Sequence, residues 1–327
     1  MGALRVAGTW DPAADVVLHH GDTLDLLRAM PSACAQLVVT SPPYNIAKPY
    51  ERGARLTLER YVAAQDAVIA ACVRLLRPGG SLCWQVGNHV CEDGIVPIDV
   101  LLYPCFTRHP ELRLRNRVVW HFEHGLHCRR RFSGRYEVIL WFTKGDGYPF
   151  DLDSIRVPQK YPGKRAWKGR RVGEYTGHPL GKNPGDVWIF PNVKANHVEK
   201  TTHPCQFPIE LVERFVLSVT RPGDLVVDPY LGVGSTACAA VLHGRRAAGA
   251  DVVAEYLAIA RRRIVLAARG ELRTRPMGRA VPTPRPTSAL ARRDDPERRT
   301  HAPRRRAPTQ GLRIAVDADG GARDDRR

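Results

Sequence analysis

The sequence predicts a three-layer α/β fold built around a largely parallel sheet. Short apolar runs typical of strands alternate along most of the chain with segments whose apolar residues recur at helical spacing. Hydrophobic residues make up 43% of the 327 residues, which is enough to bury a substantial core. No apolar run approaches the roughly 18 residues that a membrane-spanning helix needs, so no membrane association is expected.

Strands and helices follow one another in a regular order. The helix over 61–76 is a clear example, because Val62, Ile69 and Cys72 share one face and "RPGG" stops the pattern. The predicted strands are 16–20, 37–40, 81–87, 117–122, 137–143, 225–227 and 246–250. The predicted helices are 61–76, 97–107, 208–220, a segment from about 235, and 253–267.

Two regions lack this regularity. Residues 151–200 are rich in Gly, Pro, Lys and Arg and show no clear period. Beyond about residue 270 the chain is rich in Pro and Arg and has few large apolar residues. This composition cannot support a packed core and predicts a disordered tail over 270–327.

The charge of the chain suits a polyanionic partner. The formal net charge is +17, and the region before Glu271 still carries +10 once the fifteen Arg and eight acidic residues from Glu271 onward are removed. Such an excess favours nucleic acid. The alternative is an Arg-rich genomic composition with no functional meaning.

The cysteines and the N-terminus indicate a reducing cytoplasm. None of the eight cysteines forms a C-x-x-C pair, so the sequence suggests neither a zinc site nor a disulfide framework. The first residues, "MGALRVAGTW", lack the apolar segment of a secretory signal. We therefore expect a cytoplasmic protein.

A glycine-containing turn lies between a strand and a small-residue helix in "VVDPYLGVGSTACAA" (226–240). It lacks the Gly-Lys-Ser/Thr of a phosphate-binding loop, and it is not a complete G-x-G-x-x-G. Asp228 ends the strand, and Asp251 ends the next strand, where an acid commonly binds the ribose of an adenosine-type cofactor. An ordinary strand–helix turn is the alternative.

A second turn follows the strand at 37–40 and reads "TSPPYN" (40–45). Together the two turns resemble the motifs of S-adenosylmethionine-dependent DNA amino-methyltransferases in which the catalytic motif precedes the cofactor motif. "RFSGRYEVILWFTK" (131–144) and "HPCQFPIELVERFV" (203–216) are similar to two further blocks of that family, in the expected order. The resemblance covers about 15–267. Phe207 stands where the family usually has Lys, and Tyr230 where Phe is common.

The resemblance implies a Rossmann-like methyltransferase sheet with a small inserted recognition region. Residues 1–150 would form the catalytic half, 151–200 the target-recognition insert, and 201–269 the cofactor-binding half. In such proteins S-adenosylmethionine would have Asp228 near its methionine part, Asp251 at the ribose and Asp22 near the adenine. The full set of implied cofactor residues is Asp22, Thr40, His203, Pro204, Asp228, Pro229, Gly232, Gly234, Ser235, Thr236 and Asp251.

The resemblance also gives the Pro-Pro turn a chemical role, with Ser41, Pro42, Pro43 and Tyr44 as the catalytic residues. The amine of a base is a poor nucleophile, because its lone pair is delocalised into the ring. Ser41 Oγ and the Pro42 carbonyl could accept hydrogen bonds from that amine and position it. The prolines fix φ and offer no competing N–H. Tyr44 could stack on a base flipped out of the duplex.

Within the family that the chain resembles, the Ser-Pro-Pro-Tyr form of the motif is typical of methylation at N4 of cytosine in double-stranded DNA. N6 of adenine stays open, since both amines present the same pair of donors. An RNA or protein amine methyltransferase and a non-catalytic DNA-binding protein are further alternatives, which motif order and the intact motifs disfavour. A cognate restriction endonuclease and a homodimer would fit the family. The resemblance also implies a nucleoid-associated protein of a bacterium or archaeon.

Basic residues in two segments are the predicted DNA contacts. The candidates are Arg129, Arg130, Arg131, Arg135, Lys164, Arg165, Lys168, Arg170 and Arg171. Arg135 could instead pair with Glu137. The histidines and cysteine of "WHFEHGLHCRR" (120–130) allow a metal site, but Gly125 disfavours the helix that would bring them together, and methyl transfer from a sulfonium needs no metal. No metal is therefore expected.

Overall fold

A nine-stranded mixed sheet with helices on both faces forms the centre of the protein. It is seen in a computed structural model that describes residues 4–46, 55–91, 94–123, 125, 127–194 and 196–280. Helices on both faces of the sheet confirm the predicted three-layer α/β class.

Strands and helices alternate over much of the chain as the sequence predicts. The strands of the central sheet are β1 Val6–Ala7, β2 Val16–His20, β3 Ala35–Thr40, β4 Leu76–Val86, β7 Leu112–His121, β8 Tyr136–Lys144, β9 Val187–Ile189, β10 Leu225–Asp228 and β11 Arg246–Asp251. However, β1 and β2, and likewise β7, β8 and β9, follow one another without an α-helix between them. Strands β5 (Asn88–Cys91) and β6 (Gly94–Pro97) form a separate antiparallel pair.

Strand order and direction place many strand ends at one edge. The order is β1-β2-β11-β10-β3-β4-β8-β7-β9. The pairs from β1 to β4 are parallel, whereas β8 runs antiparallel to both of its neighbours. The carboxyl ends of β2, β11, β10, β3 and β4 therefore meet at the same edge as the beginning of β8. Open α/β sheets bind ligands at such an edge.

Two apolar layers hold the helices to the sheet. The helices are α1 Thr23–Ala29, α2 Leu58–Leu75, α3 Ile98–Thr107, α4 Ile209–Val219, α5 Ser235–Leu242 and α6 Ala254–Ala268. Side chains of α1, α2 and α3 pack in one core cluster, and those of α4, α5 and α6 pack in the other. Along each central strand alternate residues enter opposite clusters, as in Leu37 and Val38. No helix in the described part of the chain has the length and apolar character of a membrane span.

Local differences from the sequence prediction have simple causes. Helix α1 was not predicted because it has only seven residues, although Asp22 caps it by accepting a hydrogen bond from Leu24 N at 2.7 Å. The helix predicted over 61–76 begins earlier, at Leu58. It ends at Leu75, as "RPGG" indicated, but the glycines then lie inside β4, where the pairing with β3 changes register.

Part of the segment 151–200 belongs to the sheet. Strand β9 pairs parallel with β7, and Trp188 and Phe190 are buried in the second core cluster. Residues 164–176, here called the basic finger, double back on themselves. Ala166 N donates to Glu174 O at 2.8 Å, and Thr176 N donates to Lys164 O at 2.9 Å. The segment thus combines a packed strand with an exposed hairpin-like projection.

Arg275, which lies within the predicted tail, contacts the folded part of the chain. Arg275 is only 7% exposed. Its backbone N–H donates to Glu199 Oε1 at 3.2 Å, and its guanidinium pairs with Glu210 on α4. Arg275 therefore anchors the first residues of the predicted tail through Glu199 and Glu210. Residues 281–327 of the predicted tail lie outside the described residues.

The Arg275–Glu210 pair yields a test of this anchor. Burial raises the pKa of Glu210 from 4.5 to about 8, and Arg275 opposes the rise. Between those values the folded state holds a proton that the unfolded state has lost, so stability falls as pH rises. We expect Arg275→Ala to steepen this fall and to lower the free energy of unfolding by about 3–5 kcal/mol at pH 8.

Urea unfolding at pH 6 and pH 8 measures this effect, and Arg273→Ala on an exposed neighbouring arginine is the matched control. The control should change stability little at either pH. Equal losses in the two variants would show that Glu210 does not depend on Arg275.

Candidate active site

The Ser41–Tyr44 turn directly follows β3 and is braced from two sides. Tyr61 OH on α2 donates to the Pro43 carbonyl at 2.9 Å. Asn45 adopts φ 57° and exchanges two hydrogen bonds with Leu56, at 2.7 and 2.8 Å. The short polar side chain of Asn tolerates this left-handed conformation. The turn is therefore held by contacts with Tyr61 and Leu56, which the sequence of the turn alone does not predict.

The turn opens onto a cavity of about 200 Å³ at the carboxyl edge of the sheet. Asp251 on β11 pairs with His20 on β2, so Asp22 follows only two residues beyond that pair. Ser41 follows β3, which is a neighbour of β10. Predicted site residues that line the cavity are Asp22, Ser41, Pro42, Pro43, Tyr44, His203, Pro229, Gly232, Ser235 and Asp251.

Five of the predicted cofactor residues lie outside this lining: Thr40, Pro204, Asp228, Gly234 and Thr236. Asp228 is the most informative of them, since it is 1% exposed. Its Oδ1 accepts from Thr40 Oγ1 at 2.5 Å and from Tyr230 N at 3.1 Å, and its Oδ2 accepts from Thr236 Oγ1 at 2.6 Å. These bonds give Asp228 a structural role behind the cavity wall, and its place near the methionine part of the cofactor stays a prediction.

Burial sets the protonation of Asp228. Desolvation raises its pKa to about 6, and the hydrogen bonds from Thr236, Thr40 and Tyr230 oppose the rise because they favour the carboxylate. Near neutral pH the group is ionised and can accept all three hydrogen bonds.

Gly234 precedes α5 at a position where both the backbone conformation and the nearby Ala260 disfavour a larger residue. Its φ is +79°, and a Cβ there would lie 2.9 Å from the Cβ of Ala260 on α6. The glycine therefore lets α5 pack directly against α6. Gly232 lies two residues earlier and faces the ring of His203 across the cavity wall.

Asp251 fixes the loop that lines the cavity. Its Oδ2 accepts from Gly232 N at 3.0 Å, and its Oδ1 accepts from Val253 N at 2.8 Å. Burial is the main cause that raises its pKa, and these two backbone donors oppose the rise. Asp22, by contrast, is exposed at the start of α1. The two carboxylates offer acceptor oxygens at the edge of the cavity.

His203 closes the opposite side of the cavity as a neutral ring. Burial, followed by the charges of Lys200 and Arg263, lowers its pKa to about 4. Its Nδ1 accepts from Cys205 N at 3.2 Å, so its proton is on Nε2. The ring also meets Tyr256 edge-on, with centroids 4.6 Å apart.

Sequence reasoning missed several lining residues, including Gln206, Phe207, Tyr230 and Val252. Phe207 and Tyr230 are the two positions that depart from the family pattern, so the substitutions are a signal that could have marked them as cavity residues. Glu137 was also missed as a site residue. Its carboxylate accepts from Tyr44 OH at 3.1 Å and from Gln85, rather than serving the predicted pair with Arg135.

The predicted DNA contacts occupy two separate surfaces. Arg129, Arg130 and Arg131 are exposed on the loop between β7 and β8, and Arg135 is partly buried at its end. Lys164, Arg165, Lys168, Arg170 and Arg171 are exposed on the basic finger.

The hypothesis of a metal site concerned the histidines and the cysteine of residues 120–130, at the end of β7 and in the loop that follows it. His124 lies outside the described residues, and the described part of the chain contains no group of three metal-ligating side chains close enough to hold an ion.

Known proteins resemble this chain in sequence and in fold. The sequence model of the DNA methylase family that modifies N6 and N4 amines matches residues 35–262. The chain belongs to this family. The protein is therefore a DNA methyltransferase.

Individual relatives extend the similarity over most of the chain. The type II methyltransferase M.BglII of Bacillus subtilis is 48% identical over 244 residues, which is 74% of this chain and 67% of the relative. The DNA adenine methyltransferase YhdJ of Escherichia coli K12 is 31% identical over 251 residues, covering 76% of this chain and 82% of YhdJ. The structure of TTHA0409 from Thermus thermophilus with S-adenosylmethionine has a TM-score of 0.55 at 27% identity. It covers 77% of this chain and 94% of TTHA0409.

The packing at Gly234 can be tested against a second glycine of similar conformation. Gly270 has φ +72° and open space where a Cβ would lie. We expect Gly270→Ala to cost about 1 kcal/mol for the left-handed backbone alone. Gly234→Ala should cost about 1–3 kcal/mol more, because the new methyl group would overlap Ala260.

Chemical denaturation of the two variants measures the difference. Equal costs at the two sites would mean that α5 can move away from α6, and that Gly234 is needed only for its backbone conformation.

Proposed function

We propose that this methylase transfers a methyl group from S-adenosylmethionine to N4 of a cytosine at a specific site in duplex DNA. The observation that carries the proposal is the Ser41–Tyr44 turn, whose acceptor groups line the same cavity as Asp22 and Asp251. The cavity thus offers one subsite for a polar, cationic cofactor and a second for an amine.

The lining residues fit S-adenosylmethionine. Asp251 and Asp22 would accept hydrogen bonds from its adenosine part, while Gly232 and His203 would enclose it. When bound, the cofactor supplies a methyl group activated by a positively charged sulfur. The apolar side chain of Leu231 and the neutral ring of His203 form the wall of that part of the cavity.

The turn would hold the amine of a flipped base. Ser41 Oγ and the carbonyl of Pro42 are acceptors, so they bind the N–H groups and direct the nitrogen lone pair away from the turn. Positioning of this kind replaces much of the entropic cost of bringing two reactants together. Tyr44 offers a ring face to the base, which must leave the duplex to reach the cavity.

Cytosine is favoured because the motif begins with Ser41, which by the family resemblance is typical of N4 methylation. The second candidate is N6 of adenine, which the 31% identity to the adenine methyltransferase YhdJ favours. The two candidates share the fold, the cofactor and the mechanism, and they differ in the product.

The product and the role of Ser41 can be tested together. Purified protein, S-adenosylmethionine and genomic DNA are incubated, and digested nucleosides are analysed by mass spectrometry. We expect N4-methylcytosine, and we expect Ser41→Ala to lower kcat about 100- to 1,000-fold, as the loss of one aligned hydrogen-bonding group typically does.

Cofactor affinity is the control, because Ser41→Ala should bind S-adenosylmethionine as the wild type does. N6-methyladenine as the product would establish the second candidate. Cofactor binding with no methylated DNA nucleoside would contradict both.

The basic finger is proposed as part of the DNA-binding surface, together with the arginines of the β7–β8 loop. The finger has five basic residues and one acidic residue, Glu174. Its indole Trp167 is 78% exposed, and Arg165 stacks on the ring of Tyr175 at 4.0 Å. Exposed rings among cations suit a partner that combines phosphates with stackable bases.

Removal of finger charges should weaken DNA binding in a salt-dependent way. We expect Lys168→Gln/Arg170→Gln/Arg171→Gln to reduce the slope of log K against log salt by about 2–3, since each phosphate contact contributes about 0.9. Fluorescence anisotropy of a labelled duplex measures this slope.

The matched control removes the same charge from exposed arginines on α6 and at its C-cap, in Arg261→Gln/Arg262→Gln/Arg269→Gln. It should leave the slope nearly unchanged. If both triple variants change the slope equally, the finger contributes only to the overall charge of the protein.

A cognate restriction endonuclease and a homodimer complete the proposal. The relatives named type II methyltransferases support the first. A neighbouring nuclease whose cleavage is not blocked by this methylation would count against it, and a monomer in sedimentation analysis with DNA would count against the dimer.

A further inference from the structure

Glu137 lies beside the proposed amine subsite although it is far from Ser41 in sequence. Strand β8 begins at this edge because it runs antiparallel to β4, and Val138 pairs with Val86. Glu137 therefore stands opposite Gly87, the residue after β4. A Cβ at Gly87 would lie 3.1 Å from Tyr44 Cε2 and 3.2 Å from Glu137 Oε1. The glycine lets the carboxylate and the tyrosine ring approach each other.

Four side chains form one hydrogen-bonded chain that ends at the cavity. Glu137 Oε2 is 3.1 Å from Tyr44 OH and also contacts Gln85 Nε2. Gln85 Nε2 is 2.7 Å from Tyr44 OH. Tyr44 OH is 3.1 Å from Ser41 Oγ, which lines the cavity.

Proton counting fixes the direction of every bond in this chain. A carboxylate can only accept, so the single proton of Tyr44 goes to Glu137. The amide nitrogen of Gln85 can only donate, and it faces the carboxylate because an amide oxygen there would be repelled. The oxygen of Tyr44 then accepts from Ser41. The only proton of Ser41 is thereby used, and its lone pairs face the cavity.

We propose that Glu137 is a positioning residue that keeps Ser41 Oγ an acceptor for the target amine and receives, through Tyr44, the proton that the amine loses. This inference rests on the proposed methyl transfer to DNA. Glu137, a residue outside the Pro-Pro turn, would then set the direction of the hydrogen bonds and receive the proton.

The proton step balances along the chain. As the amine nitrogen forms its bond to the methyl carbon, the bond from that carbon to sulfur breaks and its electron pair stays on sulfur. The nitrogen then gives one proton to Ser41 Oγ. Ser41 passes its own proton to the oxygen of Tyr44, and Tyr44 passes its proton to Glu137 Oε2. The resulting carboxylic acid later releases the proton to water.

The surroundings of Glu137 suit a proton acceptor. Burial raises its pKa above the ordinary value of 4.5, while the hydrogen bonds from Tyr44 and Gln85 and the charge of Lys194 oppose the rise. Burial and the nearby Glu137 raise the pKa of Tyr44, so the phenol keeps its proton. His89 contacts the Tyr44 carbonyl, and Arg135 lies two residues before Glu137. Activity should therefore fall as pH decreases through the raised pKa of Glu137.

The test compares kcat for DNA methylation across pH in the wild type, Glu137→Gln and Tyr44→Phe. Glu137→Gln keeps the shape but can no longer accept a proton, and Tyr44→Phe keeps the ring but breaks the chain. We expect each to lower kcat about 100-fold, the lower end of general base contributions. The KM for S-adenosylmethionine should stay within a few-fold, and the acid limb of the profile should disappear.

Two further measurements separate this role from simple packing. The double variant should be no slower than the slower single variant, because groups that act as one unit are not additive. In the protein without ligands, the ¹³C carboxyl resonance that is lost in Glu137→Gln should titrate above the ordinary range, at the pH of the acid limb. Glu111→Gln, on an exposed residue before β7, is the matched control and should retain wild-type kcat.

Several outcomes would overturn the inference. A Glu137→Gln variant with wild-type kcat and an intact acid limb would do so. A loss of activity in this variant that is fully accounted for by weaker binding of S-adenosylmethionine would also do so. An ordinary pKa for Glu137 would also do so, and this result can be obtained even if the wild type methylates no DNA. If the wild type methylates no DNA, it is the proposed function that fails.

Discussion

The buried carboxylate of Asp228 joins the two halves of the site. It accepts hydrogen bonds from Thr40, which directly precedes Ser41, and from Thr236, which lies in the first turn of α5. One side chain thus sets the distance between the turn that would hold the amine and the loop that would hold the cofactor. Burying an ionised carboxylate is costly, and only the three donors around it compensate for that cost.

The direction of β8 is the second constraint. Parallel strands bring their carboxyl ends to one edge, and these ends provide Asp22, Ser41, Asp228 and Asp251. An antiparallel strand contributes its beginning to the same edge, and in this way Glu137 reaches Tyr44. The close approach at Gly87 completes the arrangement, since any larger residue would separate the carboxylate from the ring. The amine subsite therefore depends on both strand directions within one sheet.

The irregular segment 151–200 has two roles that its composition alone does not distinguish. Trp188 and Phe190 are buried, and Arg214 of α4 stacks over both rings at 4.7 Å. Residues of the basic finger are exposed, and they keep their shape through backbone hydrogen bonds. A firmly packed base lets the exposed hairpin present cations and an indole without collapsing onto the sheet.

The sequence by itself determined the fold class, the order of most strands and helices, and the two turns that meet at the cavity. It could do so because strands, helices and turns depend on local patterns of apolar residues, glycines and prolines, which can be read from the sequence. Tertiary structure alone decided that Asp228 holds the site from behind, that Glu137 contacts Tyr44, and that Arg275 fastens the first part of the predicted tail. These pairings join residues 93 positions apart for Tyr44 and Glu137 and 188 apart for Thr40 and Asp228. Such contacts depend on the register between strands and on the face of the sheet to which each side chain points. The residues around one position do not determine the register with a strand that is distant in sequence.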